Sequence, residues 1–165
     1  MMGIPLLSGF AREQHMAKMD VVGRCGIYCG ACPIYRATRG DEAAKQFARD
    51  VWKTPPNRVT CDGCHNLGPE AHGIDCPRRK CMDAKGYGYC SECPEYATGK
   101  CEKFESMDRY FVKKGESLRE NLRRVTSGGA DTWLAEQGEK WRCRSCGEPI
   151  FWEEKKCPRC GKPLK

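Results

Sequence analysis

Residues 143–161 read CRSCGEPIFWEEKKCPRCG. Two C-x2-C turns, Cys143/Cys146 and Cys157/Cys160, are each followed by glycine and separated by ten residues. Two such turns offer four thiolates to one tetrahedral ion, and each glycine can adopt the left-handed backbone that lets amide groups point at sulfur. Cysteines that merely fill a core would not repeat this spacing. The stretch predicts a zinc ribbon, with Ile150, Phe151 and Trp152 as a short strand. Its local core would be Trp141, Ile150, Phe151 and Trp152, making it an independent, metal-dependent unit.

The rest of the chain has the same economy. Of its 165 residues, 39% are hydrophobic and 14 are cysteine, and the mean hydropathy is -0.71. Apolar material for one large core is thin, so small domains held by metal are expected; a structural zinc contributes on the order of 10 kcal/mol. The resulting fold class is a small metal-stabilised, mainly α cysteine-rich domain plus a C-terminal β zinc ribbon. Its divisions would be a disordered extension (1–20), a cysteine-rich metal-binding domain (21–115), a helical connector (116–138) and the ribbon (139–165).

An even number of paired cysteines would also suit a secreted disulfide framework. However, the opening MMGIPLLSGFAREQHM has no basic segment before its apolar run and no small-residue cleavage pattern. No run approaches a membrane span. A reducing cytoplasm, where C-x2-C pairs hold metal, is the expected location, with no membrane association. The formal charge of +7 counts every cysteine as neutral. Four thiolates around zinc or a 4Fe-4S cluster carry about -2, so three such sites would leave about +1. Residues 110–165 remain locally basic, with 13 Lys plus Arg against 8 Asp plus Glu.

Ten further cysteines lie upstream: Cys25, Cys29, Cys32, Cys61, Cys64, Cys76, Cys81, Cys90, Cys93 and Cys101. All fourteen are candidate metal ligands. CGACPIYRATRG (29–40) and CSECPEYATG (90–99) echo one another as C-x2-C-P-x-Y followed by Ala-Thr and glycine. Such an echo suggests a duplicated metal-binding turn that leads into a helix. Between the clusters, Asp41 caps a predicted helix through Lys53 with Ala44, Phe47, Ala48 and Val51 on its core face, stopped by Pro55-Pro56. A second helix covers 100–114 with Phe104, Met107, Tyr110 and Phe111, ending at Gly115. Ser117 and Glu120 open a third, with Leu118, Leu122 and Val125 inward and Gly128-Gly129 closing it. A short helix from Asp131 or Thr132 to Gln137 presents Trp133 and Leu134.

The ordered set CGIYCGACPIY, CDGC, CPRRKC, CSECPEY and CEKF resembles a cysteine-rich domain family of unknown function, widespread in bacteria and archaea, many of them anaerobes. WLAEQ and the closing CRSCG and CPRCG resemble the C-terminal ribbon extension of some members, and these last turns are similar to those of rubredoxin. The likeness covers residues 22–161. Members commonly carry an extra C-x2-C pair where this chain has only Cys76 and Cys81. The resemblance implies metal binding and no established activity.

Cys25-x3-Cys29-x2-Cys32 has the spacing of radical S-adenosylmethionine enzymes, but Ala31 stands where those carry an aromatic, and the chain is too short and strand-poor for their barrel. Three close thiolates should instead share a metal with a cysteine distant in sequence. Sulfur-only ligation in residues 25–101 suits zinc or a 4Fe-4S cluster; His65 and His72 would add ligands for a third zinc. No phosphate loop, H-E-x-x-H helix or G-x-S-x-G elbow occurs, and His15, His65 and His72 frame no nucleophile and base. The chain therefore reads as non-catalytic. The leading expectation is a zinc-binding interaction or accessory module docking on a protein or large assembly. Alternatives are an iron-sulfur electron-transfer or cluster-carrying accessory protein, and an RNA- or ribosome-associated zinc protein using Arg119, Arg123, Arg124, Arg142, Arg144, Lys155 and Lys156.

Overall fold

A computed structural model describes residues 20–164, so the extension expected at 1–20 lies almost wholly outside the described residues. The chain is a succession of short helices: α1 (Pro33–Ala37), α2 (Glu42–Asp50), α3 (Pro77–Lys85), α4 (Pro94–Ala97), α5 (Glu102–Val112), α6 (Leu118–Arg124) and α7 (Ala130–Lys140). Cysteine-proline steps start three of them. Cys32, Cys76 and Cys93 are N-caps, with proline at the next position of α1, α3 and α4. There the missing proline N–H costs no helical hydrogen bond.

The Asp41 side chain accepts a 3.0 Å bond from the Ala44 amide and starts α2. Fully buried Ala44 and Ala48 let α2 lie against α1, whose Ile34 and Tyr35 are also buried. This helix stops at Asp50, earlier than periodicity predicts, because the chain turns through Lys53 at φ 53° ahead of the two prolines. Val51, expected on the core face, is 60% exposed.

The principal core gathers Met82, Tyr96, Phe104, Phe111, Leu118 and Leu122 around Cys25, Cys90 and Cys93. Gly26 permits this closure: at φ 88°, it lies where a Cβ would meet the Leu118 carbonyl oxygen at 2.4 Å. Asp108 of α5 accepts from the Leu118 amide at 2.6 Å, reinforcing the Ser117 cap of α6. After α6 the backbone swings through a π-type turn, Val125–Gly129, with Gly128 at φ 90°. The turn delivers Trp133, with no exposed surface, onto Val22, Val125 and Ala130. Its indole N–H donates to Asn121 at 2.9 Å, and its ring meets Tyr28 edge-on at 5.9 Å. Asn121 in turn donates to the Gly26 carbonyl and to buried Glu116, which also receives Gln137 and Lys140. The predicted connector thus supplies core to the cysteine-rich region.

The expected fold class needs correction at the C-terminus. Among the described residues there is no strand or sheet, only isolated bridges at Val22/Tyr28, Arg142/Pro149 and Lys156/Pro163. Each cysteine turn consumes its own backbone groups: Cys143 N–H donates to the Glu148 carbonyl and Gly147 N–H to that of Cys143, both at 2.8 Å. Cys157 N–H donates to Lys162 at 2.8 Å and Gly161 N–H to Cys157 at 2.9 Å. With Ile150 N–H to Trp141 and Leu164 N–H to Lys155, both at 2.9 Å, each turn closes one bridge and no more, because Phe151 N–H goes to the Glu154 carboxylate and Trp152 N–H to Ala31. Ile150–Trp152 is therefore not a β element of a ribbon. It is a strap.

That strap holds the C-terminal turns to the helices, which alters the expected local core. Ile150 stays with Trp141, Leu164, Cys143 and Cys157. Phe151 instead meets Phe47 of α2 at 4.9 Å, and Trp152 meets Phe111 of α5 edge-on at 4.9 Å. Polar contacts flank them: Trp152 N–H donates to the Ala31 carbonyl at 3.2 Å, Arg36 to the Pro149 carbonyl at 2.9 Å, and Tyr110 and Lys114 each to Glu153 at 2.7 Å.

Two outcomes follow from this packing. Trp133→Ala removes a fully enclosed indole and strands Asn121, so unfolding by denaturant should lose about 3–5 kcal/mol; a loss below about 1 kcal/mol would contradict the packing. Phe151→Ala/Trp152→Ala should free the C-terminal turns to limited proteolysis while leaving their four-thiol metal binding within about threefold, an effect near 0.7 kcal/mol.

Candidate metal centre

The sulfurs of Cys143, Cys146, Cys157 and Cys160 all lie within 4.8 Å of one another. Cys143 and Cys160 approach at 3.7 Å, and Cys146 and Cys157 at 3.5 Å. The four are free thiols. Gly147 and Gly161 take φ 73° and 71°, the left-handed turn that C-x2-C-G leads one to expect. Cys143 and Cys157 are buried and Cys160 is exposed, so the centre sits at the surface with one edge open.

The electrostatics of this group suit a cation. Amide hydrogen bonds from Ser145 and Cys146, acting against burial, help lower the Cys143 thiol to about 6. Cys146 receives the Glu148 amide, which lowers it, but burial and hydrogen bonds shared with Cys157, Cys160 and Cys143 push it up to about 12. Thiols this close ionise against one another. A thiophilic metal would offset that repulsion, leaving about -2 when four thiolates hold a divalent ion, and an ion such as zinc or an iron-sulfur centre has the matching soft-ligand chemistry.

The ten upstream cysteines are also free thiols, but they form a looser array. Cys29 lies in the electrostatic neighbourhood of Cys64, Cys32, Cys61 and Cys25, and Cys32 in that of Cys61 and Cys64. Cys25 feels Cys64, Cys90 and Cys76, and Cys90 feels Cys101, Cys76 and Cys81. Of the thiols remote in sequence, Cys61 and Cys64 are those whose charge reaches both Cys29 and Cys32, and Cys25 shares one core cluster with Cys90. Burial is the largest cause that pushes the Cys25, Cys32 and Cys90 thiols up to about 12.

The sequence echo has a structural counterpart. In both copies the first cysteine opens a 3-10 turn, Cys29–Ala31 or Cys90–Glu92, and the second caps a helix. The second cysteine's sulfur receives amides two and three residues on: Ile34 and Tyr35 at Cys32, Glu95 and Tyr96 at Cys93. The tyrosine is buried behind the turn and covered by an arginine, with Arg39 3.4 Å from the Tyr35 ring centre and Arg119 4.3 Å from that of Tyr96. Thr38 and Thr98 each bond back to a carbonyl in the first turn of their helix.

Neither histidine joins a compact ligand group among the described residues. His65 packs edge-on against Tyr89 at 5.6 Å, and His72 stacks on Trp52 at 6.0 Å. Burial, reinforced by Arg58, holds His72 below its ordinary value. His15 lies outside the described residues. One organising residue escaped sequence reading: buried Arg24 donates to the Gly88 carbonyl at 2.8 Å and to Tyr87 and Asp83, while its own carbonyl accepts from Cys90 N–H at 3.0 Å. It ties the first cysteine turn to its echo, and no local pattern signals a contact across more than sixty residues.

A family described as "Protein of unknown function (DUF3795)" matches residues 21–106. The chain belongs to that family. All ten upstream cysteines fall inside the match, whereas α6, α7 and the four C-terminal thiols lie beyond it. No curated protein and no solved structure matches the chain. Among the described residues, no helix is long and apolar enough to cross a membrane.

Cys157→Ser should lower the metal content of the purified protein by one C-terminal equivalent, checked by elemental analysis. Acid should release the metal, because thiolates must reprotonate as pH falls. Unchanged stoichiometry in the variant would mean that these four thiols are not one centre.

Proposed function

We propose that the protein is a non-catalytic, metal-stabilised module of the cytoplasm that docks on a protein or large assembly, with zinc at its C-terminal centre. The observation that carries this reading is the convergence of four sulfurs within 4.8 Å. A tetrahedron of thiolates about 2.3 Å from one ion has edges of about 3.8 Å. The 3.5 and 3.7 Å separations suit that single ion better than a cluster, which spreads its ligands over several irons.

Protein docking is favoured over RNA association by the state of the basic side chains. Arg119 is paired with Glu105 and lies over Tyr96, Arg123 meets Glu120 at 2.6 Å, and Arg124 meets Glu136 at 2.6 Å. Arg142 donates to the Gly147 carbonyl at 3.0 Å. These partners reduce the charge available to phosphates, while Val51 and Val112 offer exposed apolar surface.

Elemental analysis of protein purified without oxygen should find zinc and a colourless C-terminal centre; iron with broad visible absorption there would favour the iron-sulfur alternative. Extract of the native cell, fractionated by size, should carry the protein in a larger complex that Cys143→Ser/Cys157→Ser disperses. Migration at monomer mass throughout would remove the docking reading. With a short RNA, affinity should fall with a log-log salt slope shallower than about -2, given roughly 0.7 to 0.9 per phosphate contact. A steeper slope abolished by reversing Arg119, Arg123 and Arg124 would establish the RNA reading instead.

A further inference from the structure

Within the family domain, Cys81, Cys90, Cys93 and Cys101 line a common cavity of about 20 Å³. They come from four different places: the middle of α3, a 3-10 turn, the N-cap of α4 and the N-cap of α5. We propose that these four thiols form a second metal centre, separate from the C-terminal one and independent of the docking role assigned above. The space is sufficient for a bound atom in place of side chain, since a cavity holds a single water from about 10–15 Å³ upward.

Two features of the cavity wall point to a negatively charged occupant. Lys85 extends its ammonium to the Cys93 sulfur at 3.5 Å. Arg78 lines the same cavity, and its Nε is buried with no hydrogen-bond partner. A buried N–H without an acceptor is costly, and metal-bound thiolates are acceptors. Four thiolates on a divalent ion or on a 4Fe-4S cluster carry about -2, which Lys85 and Arg78 would balance. The Cys93 sulfur receives the Glu95 and Tyr96 amides, and Cys101 caps α5, whose N-terminal end favours negative charge. Among the described residues only the C-terminal four sulfurs converge within 4.8 Å, so these four must close further around one ion or stand around a cluster. Either occupant uses the same soft-sulfur chemistry.

The grouping is testable on the unmodified full chain. Metal-loaded protein is alkylated before and after chelation, and each cysteine is followed by mass spectrometry. Cys81, Cys90, Cys93 and Cys101 should be protected together and released together, at rates within about twofold. The release of Cys25 or Cys76 with Cys90, while Cys81 and Cys101 label freely, would overturn the assignment. Elemental analysis of Cys81→Ser and Cys101→Ser, with folding checked by circular dichroism, should show loss of one zinc, or of one cluster's iron and labile sulfide. The C-terminal equivalent should remain. Full metal content in both variants would also overturn it. Because Cys143→Ser/Cys157→Ser removes only the other centre, failure of the two assignments can be told apart.

Discussion

Sulfur crowding is the constraint on which this structure depends. Fourteen thiols in 165 residues fall mostly in turns and at helix N-termini, and at the C-terminus four of the sulfurs are too close to ionise together. At the C-terminal centre the conflict is plain in the opposite displacements of Cys143 and Cys146. In the family domain it takes the form of burial, which raises the Cys25, Cys32 and Cys90 thiols and so disfavours bare thiolates there. A thiophilic cation satisfies both situations. With such a cation bound, its binding free energy would also be folding free energy, as suits small domains with thin cores.

Around the sulfurs, the helices are short and owe little to their own cooperativity; α1 and α4 span five and four residues. Long-range pins hold them. Arg24 fastens the first cysteine turn to the segment before its echo, and Asn121 fastens it to α6 and Trp133. The strap through Phe151, Trp152 and Glu153 fastens the C-terminal turns to α2 and α5. Each pin joins segments that metal turns alone would leave as separate beads, so the helices beyond the family's matched residues complete its core.

Local chemistry was legible in the sequence, and long-range chemistry was not. C-x2-C-G spacing predicted the four-thiol convergence, and the repeated C-x2-C-P-x-Y predicted two similar turns, because both are set within a few residues. Asp41 and Ser117 were readable as caps for the same reason. The strand at Ile150–Trp152 was a misreading: an apolar triplet between knuckles looks like a ladder, but Phe151 and Trp152 find aromatic partners on distant helices and the Trp152 amide finds Ala31. Val51 fitted a helical period that the turn at Lys53 ends too soon to use. Which upstream thiols group together depends on tertiary closure around Arg24 and Gly26, which spacing does not encode.

The most direct test is X-ray absorption at the metal edge of the full chain as isolated. Sulfur-only centres predict a first shell of about four sulfur atoms near 2.3 Å, without nitrogen or oxygen ligands. A shell dominated by nitrogen and oxygen near 2.0 Å, or a protein that isolates fully folded without metal, would contradict the dependence of this fold on thiolate-bound metal.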